Sequence, residues 1–444
     1  MKLIVIGGVV AGMSAAAKLK RMNRDAKVVV YEKGDYLSYG ACGLPYYVSG
    51  ENNDHTKMIA RTKEEFEEAG MDIFTQHEVV KVSPERKQVM VKNLENGDVF
   101  IDSYDKLMIA TGAIANKPPF PGMNLNRIEI LKTMENGLHM KEVVEQNDVQ
   151  NVVIVGGGYI GIEVVEAMRY AGKNVTLIEH EDRILTNFDE EITEKVTKEM
   201  KANEVTLRLG EAVESFEGDG TVTHVLTNKD RYPADLVVIA VGVKPATKFL
   251  EGTGIHLAKN GAIIIDREMR TNVEGIYAAG DCAEVYHKVM QENAYIPLGT
   301  NANKCGRIAG ANIAGEHQKY IGTLGSAAIK AFNLEVGRTG LSEADAKRLA
   351  IDYTTTFIES TDHPAYYPDA TPIWIKLISE KGTKRLLGAQ AVGNKGVVLR
   401  IDVLAVAIHQ KMAADELGMV DLCYAPPFAG VWDAVHIASN AVKE

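Results

Sequence analysis

The chain has 444 residues, 46% hydrophobic and 25% charged, so two or three globular domains are expected rather than one core. A formal net charge of −11 excludes a general nucleic-acid surface, which needs a basic footprint. Any phosphate-bearing ligand must therefore be held by local devices such as helix N-termini and single Arg or Lys residues. The cysteines at 42, 282, 305 and 423 form no CxxC pair, which excludes a zinc framework or a secreted disulfide scaffold. The expectations are a reducing, cytoplasmic setting and no metal site. No apolar run approaches the ~18 residues of a membrane span.

In chain order, Lys2–Ile6 reads as a buried parallel strand. The segment superficially imitates a signal peptide, but Gly7, Gly8 and Gly12 interrupt the apolar run. A helix from Met13 to Arg21 and a strand from Lys27 to Tyr31 follow, ending at Glu32. An acid 20 residues beyond Gly12 is placed to accept from a ribose hydroxyl of a dinucleotide. Val9 stands where the usual fingerprint has its second glycine. The stretch Ser38–Tyr46 then offers Cys42 flanked by Gly40 and Gly43, small neighbours that let a flat ring approach the sulfur, and Pro45 stiffens the exit. The competing reading is a buried structural cysteine. Lys87–Lys92 alternates as a strand, Asn96-Gly97 signals a hairpin, and Lys106–Gly112 is a strand running into small residues.

The pattern then repeats. Asn151–Val155 is a strand, Gly156–Gly161 a complete GxGxxG, Ile162–Ala171 a helix, and Val175–Ile178 a strand closed by Glu179. Two such units imply two dinucleotides, one held as a prosthetic group and one serving as reductant. Leu236–Gly242 echoes Lys106–Gly112. In Thr271–Asp281 a strand places Asp281 at its carboxyl end, where open α/β sheets bind ligands. A helix over Asn301–Ile313 follows. Beyond Thr323 the composition changes, with strands around Asp352–Ile358, Pro372–Ile378 and Leu386–Val392 and helices around Val397–His409 and Ala413–Leu417. The fold class is α/β: two Rossmann-like dinucleotide-binding domains plus a C-terminal α+β domain.

These residues resemble the flavin-dependent pyridine nucleotide–disulfide oxidoreductases over essentially the whole chain. The resemblance implies an FAD domain at 1–148 and 246–322, an NAD(P)H domain at 149–245 and a dimerisation domain at 323–444. It places FAD against Gly7, Gly8, Val10, Ala11, Gly12, Glu32, Lys33, Ser38, Val80, Ala110, Thr111, Gly112, Gly280 and Asp281, the last bonding the ribityl chain. NAD(P)H falls to Gly156, Gly158, Tyr159, Ile160, Gly161, Glu163, Glu179 and Gly242. Dithiol members carry a second cysteine where this chain has Pro45 or Tyr47, so Cys42 is similar to the single-cysteine branch: coenzyme A-disulfide reductases, NADH oxidases and NADH peroxidases. In the oxidases and peroxidases a histidine occupies the position of Val10, which counts against peroxide chemistry here. Tyr424-Ala425-Pro426-Pro427-Phe428 and Tyr366-Tyr367-Pro368 resemble the reductases' tyrosine–proline motifs, which implies tyrosines reaching the partner's cysteine across a homodimer. Ala41 departs from the asparagine that precedes the cysteine in the best-known reductases.

The implied chemistry is reduction of coenzyme A disulfide by NAD(P)H through a Cys42–S–S–CoA adduct. Tyr159 would cover the flavin until nicotinamide displaces it, its alternative being a packing tyrosine at a helix start. Glu163 would lie beside the nicotinamide, with no lysine in the cysteine motif to pair with it. Tyr424, or else Tyr366 or Tyr367, would supply a proton to the leaving thiol. Ser38, Arg21, Arg61 and Lys63 are candidate coenzyme A contacts, against the alternative of solvated basic residues. Glu179 favours NADH, and His180 and Arg183 leave NADPH open. Cys282, Cys305 and Cys423 are expected to be structural. Polysulfide or persulfide reduction, an NADH oxidase with a Cys42 sulfenic acid, and a flavin-bound sensor without turnover are the competing functions.

Overall fold

The computed structural model describes residues 1–443. Near-continuous Val/Ile/Leu runs build two five-stranded sheets whose pairs are all parallel and whose central strands are buried. The first orders Ile276–Ala278, Lys106–Ile109, Lys2–Ile6, Lys27–Tyr31 and Met71–Phe74 side by side. The second orders Thr206–Leu209, Asn174–Glu179, Asn151–Val155, Leu236–Ile239 and Ile128–Glu129. Ile128–Glu129 thus pairs across the 148/149 division expected from sequence. In each fold a three-stranded antiparallel sheet interrupts one crossover: His77–Ser103 between Met71–Phe74 and Lys106–Ile109, and Val213–Pro233 between Thr206–Leu209 and Leu236–Ile239. The Asn96-Gly97 hairpin is present, with Gly97 at φ +83°. Antiparallel pairing of Ala113–Ala115 with Val243–Pro245 ties the two folds together directly after their small-residue turns.

The helices after the glycine turns begin earlier than the sequence reading placed them, at Val10 and Tyr159. The last glycine of each fingerprint therefore lies in the helix's first turn, not before it. A Cβ on Gly12 would sit 1.9 Å from Gly7 O, and one on Gly161 would sit 2.0 Å from Gly156 O. Only glycine lets the helix start fold back so closely on its turn.

The first helix, Val10–Met22, packs along Gly299–Ile313 through small residues. A Cβ on Gly306 would meet Ala11 O at 2.4 Å, and one on Gly310 would meet Ala15 O at 2.3 Å. The C-terminal unit is a five-stranded antiparallel sheet, Ala327–Ala331, Leu334–Gly340, Leu386–Gly393, Pro372–Glu380 and Tyr353–Thr361 in spatial order. Helix Val397–His409 covers one face of it. Among the described residues no helix is long and apolar enough to cross a membrane.

Candidate active site

The two glycine turns are built alike. Gly7 and Gly156 adopt φ +102° and +108°, and a side chain on either would strike Ala110 O or Ala240 O at 2.3 and 2.5 Å. Each turn is thereby pressed against the matching small-residue stretch, Ala110–Gly112 or Ala240–Gly242. Glu32 Oε2 accepts from Gly8 N at 2.6 Å, and Glu179 Oε2 accepts from Gly157 N at 2.5 Å. Neither following helix carries an acid in its first turn, so both N-termini keep the positive end of the helix dipole open to phosphate. Val9, standing where the fingerprint has its second glycine, is partly buried against the apolar cluster that also holds Tyr39 and Leu44 of the cysteine loop.

That loop is short and tightly wound. Ala41–Gly43 forms one 3-10 turn and Leu44–Val48 one helical turn, with Pro45 in a position that needs no N–H partner. Gly43 has no room for a side chain, since a Cβ would meet Met58 Sδ at 2.8 Å. Ser38 stands at φ +49°, its N–H bonded to Gly8 O at 3.0 Å and its carbonyl to Ala60 N at 2.8 Å. Its backbone therefore ties the cysteine loop to the first glycine turn. Cys42 is solvent-accessible yet recessed: desolvation pushes its thiol up, the Glu163 carboxylate adds to this, and the Lys132 ammonium opposes it. Glu163 itself is pushed from 4.5 to about 7 by burial, with Glu166 one turn along the helix adding to the shift. Tyr46 is raised by burial and by the same two carboxylates.

Lys132 escaped the sequence reading. Its Nζ lies 3.3 Å from Asp281 Oδ2 and its charge acts on Cys42, so it joins the cysteine to the end of the first sheet. Lys330, from the first strand of the C-terminal sheet, donates to Glu166 Oε1 at 2.6 Å. Two lysines far away in sequence thus supply cations around the site, Lys132 toward Cys42 and Asp281 and Lys330 toward Glu166. A lysine after a proline-rich connector carries no sequence mark that would have found it.

Other expected residues have a range of surroundings. Tyr159 packs edge-to-face on Phe188 at 5.9 Å. Tyr366 and Tyr424 are exposed and share a hydroxyl–hydroxyl hydrogen bond of 3.1 Å, while Tyr367 packs edge-to-face on His363 at 5.5 Å. Arg61 lies over the Phe66 ring at 4.3 Å and donates to Glu65 O. Lys63 sits 3.8 Å from Glu67, and Lys33 pairs with Glu78 at 2.7 Å. Arg21 is an exposed residue of the first helix's last turn, and Val80 is exposed on its strand. Cys282 and Cys305 are buried, whereas Cys423 is exposed in an irregular segment rather than in the apolar or helical setting expected of it.

Both dinucleotides implied by the folds fit these residues. Thr111 Oγ1, beside the first turn, is buried without a hydrogen-bond partner. In the second turn a Cβ on Gly158 would meet nothing within 4 Å, leaving space in front of the helix N-terminus.

Residues 1–304 match the pyridine nucleotide-disulphide oxidoreductase family and residues 326–435 its dimerisation domain. A Pyrococcus horikoshii NAD(P)H coenzyme A polysulfide/persulfide reductase is 37% identical over 443 residues, covering 100% of this chain and 98% of the relative. An Enterococcus faecalis NADH oxidase is 34% identical, and a Staphylococcus aureus coenzyme A disulfide reductase 29% identical, each over 100% of both chains. The crystal structure of reduced Bacillus anthracis CoADR-RHD superposes with a TM-score of 0.96 at 34% identity, over 99% of this chain and 79% of that one. With two parallel nucleotide folds, a C-terminal antiparallel unit and one accessible cysteine between them, the chain belongs to the pyridine nucleotide–disulphide oxidoreductase family.

Proposed function

We propose that this protein is a homodimeric flavoprotein that uses NAD(P)H to reduce coenzyme A disulfide, or a related persulfide of low molecular weight, through Cys42 alone. The observation that carries this reading is that Cys42, the one accessible thiol of the first fold, feels a carboxyl, Glu163, and an ammonium, Lys132, while Cys282 and Cys305 are buried. The overall balance is NAD(P)H + H⁺ + RSSR → NAD(P)⁺ + 2 RSH.

When bound, FAD supplies the two-electron link between nicotinamide and sulfur. Glu32, Thr111 and Asp281 would hold it in the first fold. Glu179 would take the adenosine ribose of NAD(P)H, and Tyr159 would lie over the nicotinamide face of the site. The Cys42 thiolate attacks one sulfur of the disulfide, forming Cys42–S–S–R and releasing RS⁻, which takes up a proton. Reducing the adduct with two electrons restores the Cys42 thiolate and expels the second RS⁻. Only the thiolate is nucleophilic, so its charge must be offset locally. Lys132 does so directly. Protonation of Glu163 removes the carboxylate charge that opposes the thiolate. Tyr424 of the partner subunit is the candidate proton donor to the leaving thiolate, with Tyr366 bonded to its hydroxyl.

The test is anaerobic NADH titration with mass spectrometry of Cys42 before and after. A coenzyme A or persulfide adduct that leaves on reduction supports the reading. A sulfenic acid that yields only water replaces it with the oxidase, and an unmodified, unresponsive thiol sinks both.

A further inference from the structure

We propose that Gln390, in the C-terminal domain, is a positioning residue for the pyridine nucleotide, acting by clamping Asp189 at the end of the segment that supports the second glycine turn. The inference rests on the reading of that turn as the NAD(P)H site.

The segment from Glu179 to Asp189 leaves the sheet and runs beneath the turn. Leu185 N donates to Gly157 O at 2.8 Å, and Leu185 is buried at φ +48°. That conformation is unfavourable for a branched-chain residue and persists only where the surroundings hold it. Ile184 fills the space under Gly157, its Cγ2 lying 2.9 Å from where a Cβ would be. Phe188 then presents its ring to Tyr159, and Arg183 Nη1 closes the segment on itself by donating to Phe188 O at 2.8 Å. Glu179, Ile184, Leu185 and Phe188 thus set the shape of one side of the turn.

The far end of the segment is held by another domain. Asp189 N donates to Gln390 Oε1 at 2.7 Å, and Gln390 Nε2 donates back to Asp189 Oδ2 at 2.9 Å. Glu343 N donates to Asp189 Oδ1 at 3.2 Å, and Lys376 Nζ lies 3.4 Å from its carboxylate. Just before it, Arg338 donates to Asn187 O, with its guanidinium 6.0 Å from the Phe188 ring centre. Gln390 is fully buried in Leu386–Gly393, a strand buried at every position. An amide there is costly unless every polar atom is matched, and an apolar side chain would serve the sheet as well. Its reciprocal fit to Asp189 specifies where the nucleotide segment sits, which is the use of buried polar groups best suited to fixing register.

Among the described residues no hydrogen bond or ion pair joins the cysteine loop to Gln390 or Asp189, so loss of the clamp weakens nucleotide binding selectively. The experiment compares FAD-loaded dimeric wild type with Gln390→Met, of similar length but without an amide. Calorimetric binding of ADP-ribose and the KM and kcat for NADH and for the disulfide are measured. The expected result is a rise of about 5- to 20-fold in both the ADP-ribose Kd and the NADH KM. The kcat and the disulfide KM stay within about twofold. Arg338→Met, which frees Asn187 O while leaving the Gln390 amide itself in place on the adjacent strand, shifts the same two constants in the same direction and decides the matter if Gln390→Met does not retain FAD. Unchanged ADP-ribose affinity overturns the proposal, and so does a parallel decline of kcat and disulfide KM. If wild type fails to bind ADP-ribose, the assignment of the second turn falls instead, and this inference falls with it.

Discussion

The two glycine turns share most of their local devices but differ at Val9 against Gly158 and in what packs around them. The first is backed by a second helix: a Cβ on Gly280 would meet Ala11 Cβ at 2.9 Å, and helix Gly299–Ile313 lies along the helix that follows the turn. The second opens on empty space at Gly158, with Tyr159 and Phe188 at its edge. The same fingerprint can therefore serve a ligand that stays and one that must leave. The expectation is that packing around the turn, rather than the turn itself, sets how long a nucleotide remains.

The largest expected effect lies where the folds meet. Cys42→Ser lowers disulfide-dependent turnover on the order of 10³-fold or more, while ADP-ribose binding and FAD content stay unchanged. Loss of either would show that the cysteine is a structural part of the packing around the first turn. Next come the paired glycines. Gly12→Ala and Gly161→Ala each place a methyl about 2 Å from a backbone oxygen, a clash costing about 3 kcal/mol or more. The first variant is expected to purify without FAD and with a depressed melting temperature. The second remains yellow but loses ADP-ribose binding. If both lose the same ligand, the division of labour between the turns is wrong.

Glu163 sharpens the comparison through pH. Between 4.5 and about 7 the unfolded chain gives up this proton while the folded one keeps it, so stability falls as pH rises through that window and stays lower above it. Glu163→Gln removes the loss. The variant is expected to be more stable than wild type at pH 8 by up to about 3 kcal/mol, with the gain shrinking towards pH 5. Equal melting-temperature differences at both pH values would mean that the carboxyl is not held neutral by its site. The smallest effect is at Glu179, where Glu179→Ala should narrow the NADH-over-NADPH preference about tenfold, read as the ratio of kcat/KM values. An unchanged ratio would move the ribose contact elsewhere.

Much of this architecture was legible because its signals are local. Buried strands such as Lys2–Ile6 and Asn151–Val155, and the acids at Glu32 and Glu179, follow from patterns spanning about thirty residues. The helix starts were misplaced because a glycine in a first helical turn and one in a loop look alike until the turn carbonyl that it admits is seen. The strands Ala327–Ala331 and Leu334–Gly340 escaped notice because their glycines and charges hide the period-two pattern. At the site, Cys42 and Glu163 were marked by motif, but Lys132, Lys330 and Gln390 were not. Each is an ordinary residue in its own segment and acquires meaning only opposite Asp281, Glu166 or Asp189.

By itself the sequence determined that the chain holds two nucleotide folds, that one cysteine stands beside the first, and which acids close each unit. Those properties are set by steric and hydrogen-bonding demands within a few turns of chain. The tertiary structure alone decided which turn is backed by a second helix and which opens at Gly158, which cations answer Cys42 and Glu166, and that the C-terminal domain holds Asp189 through Gln390. Such outcomes depend on groups up to about two hundred residues apart in sequence, as Asp189 and Gln390 are. Their energies come from desolvation and charge pairing, which exist only once the chain has buried them together.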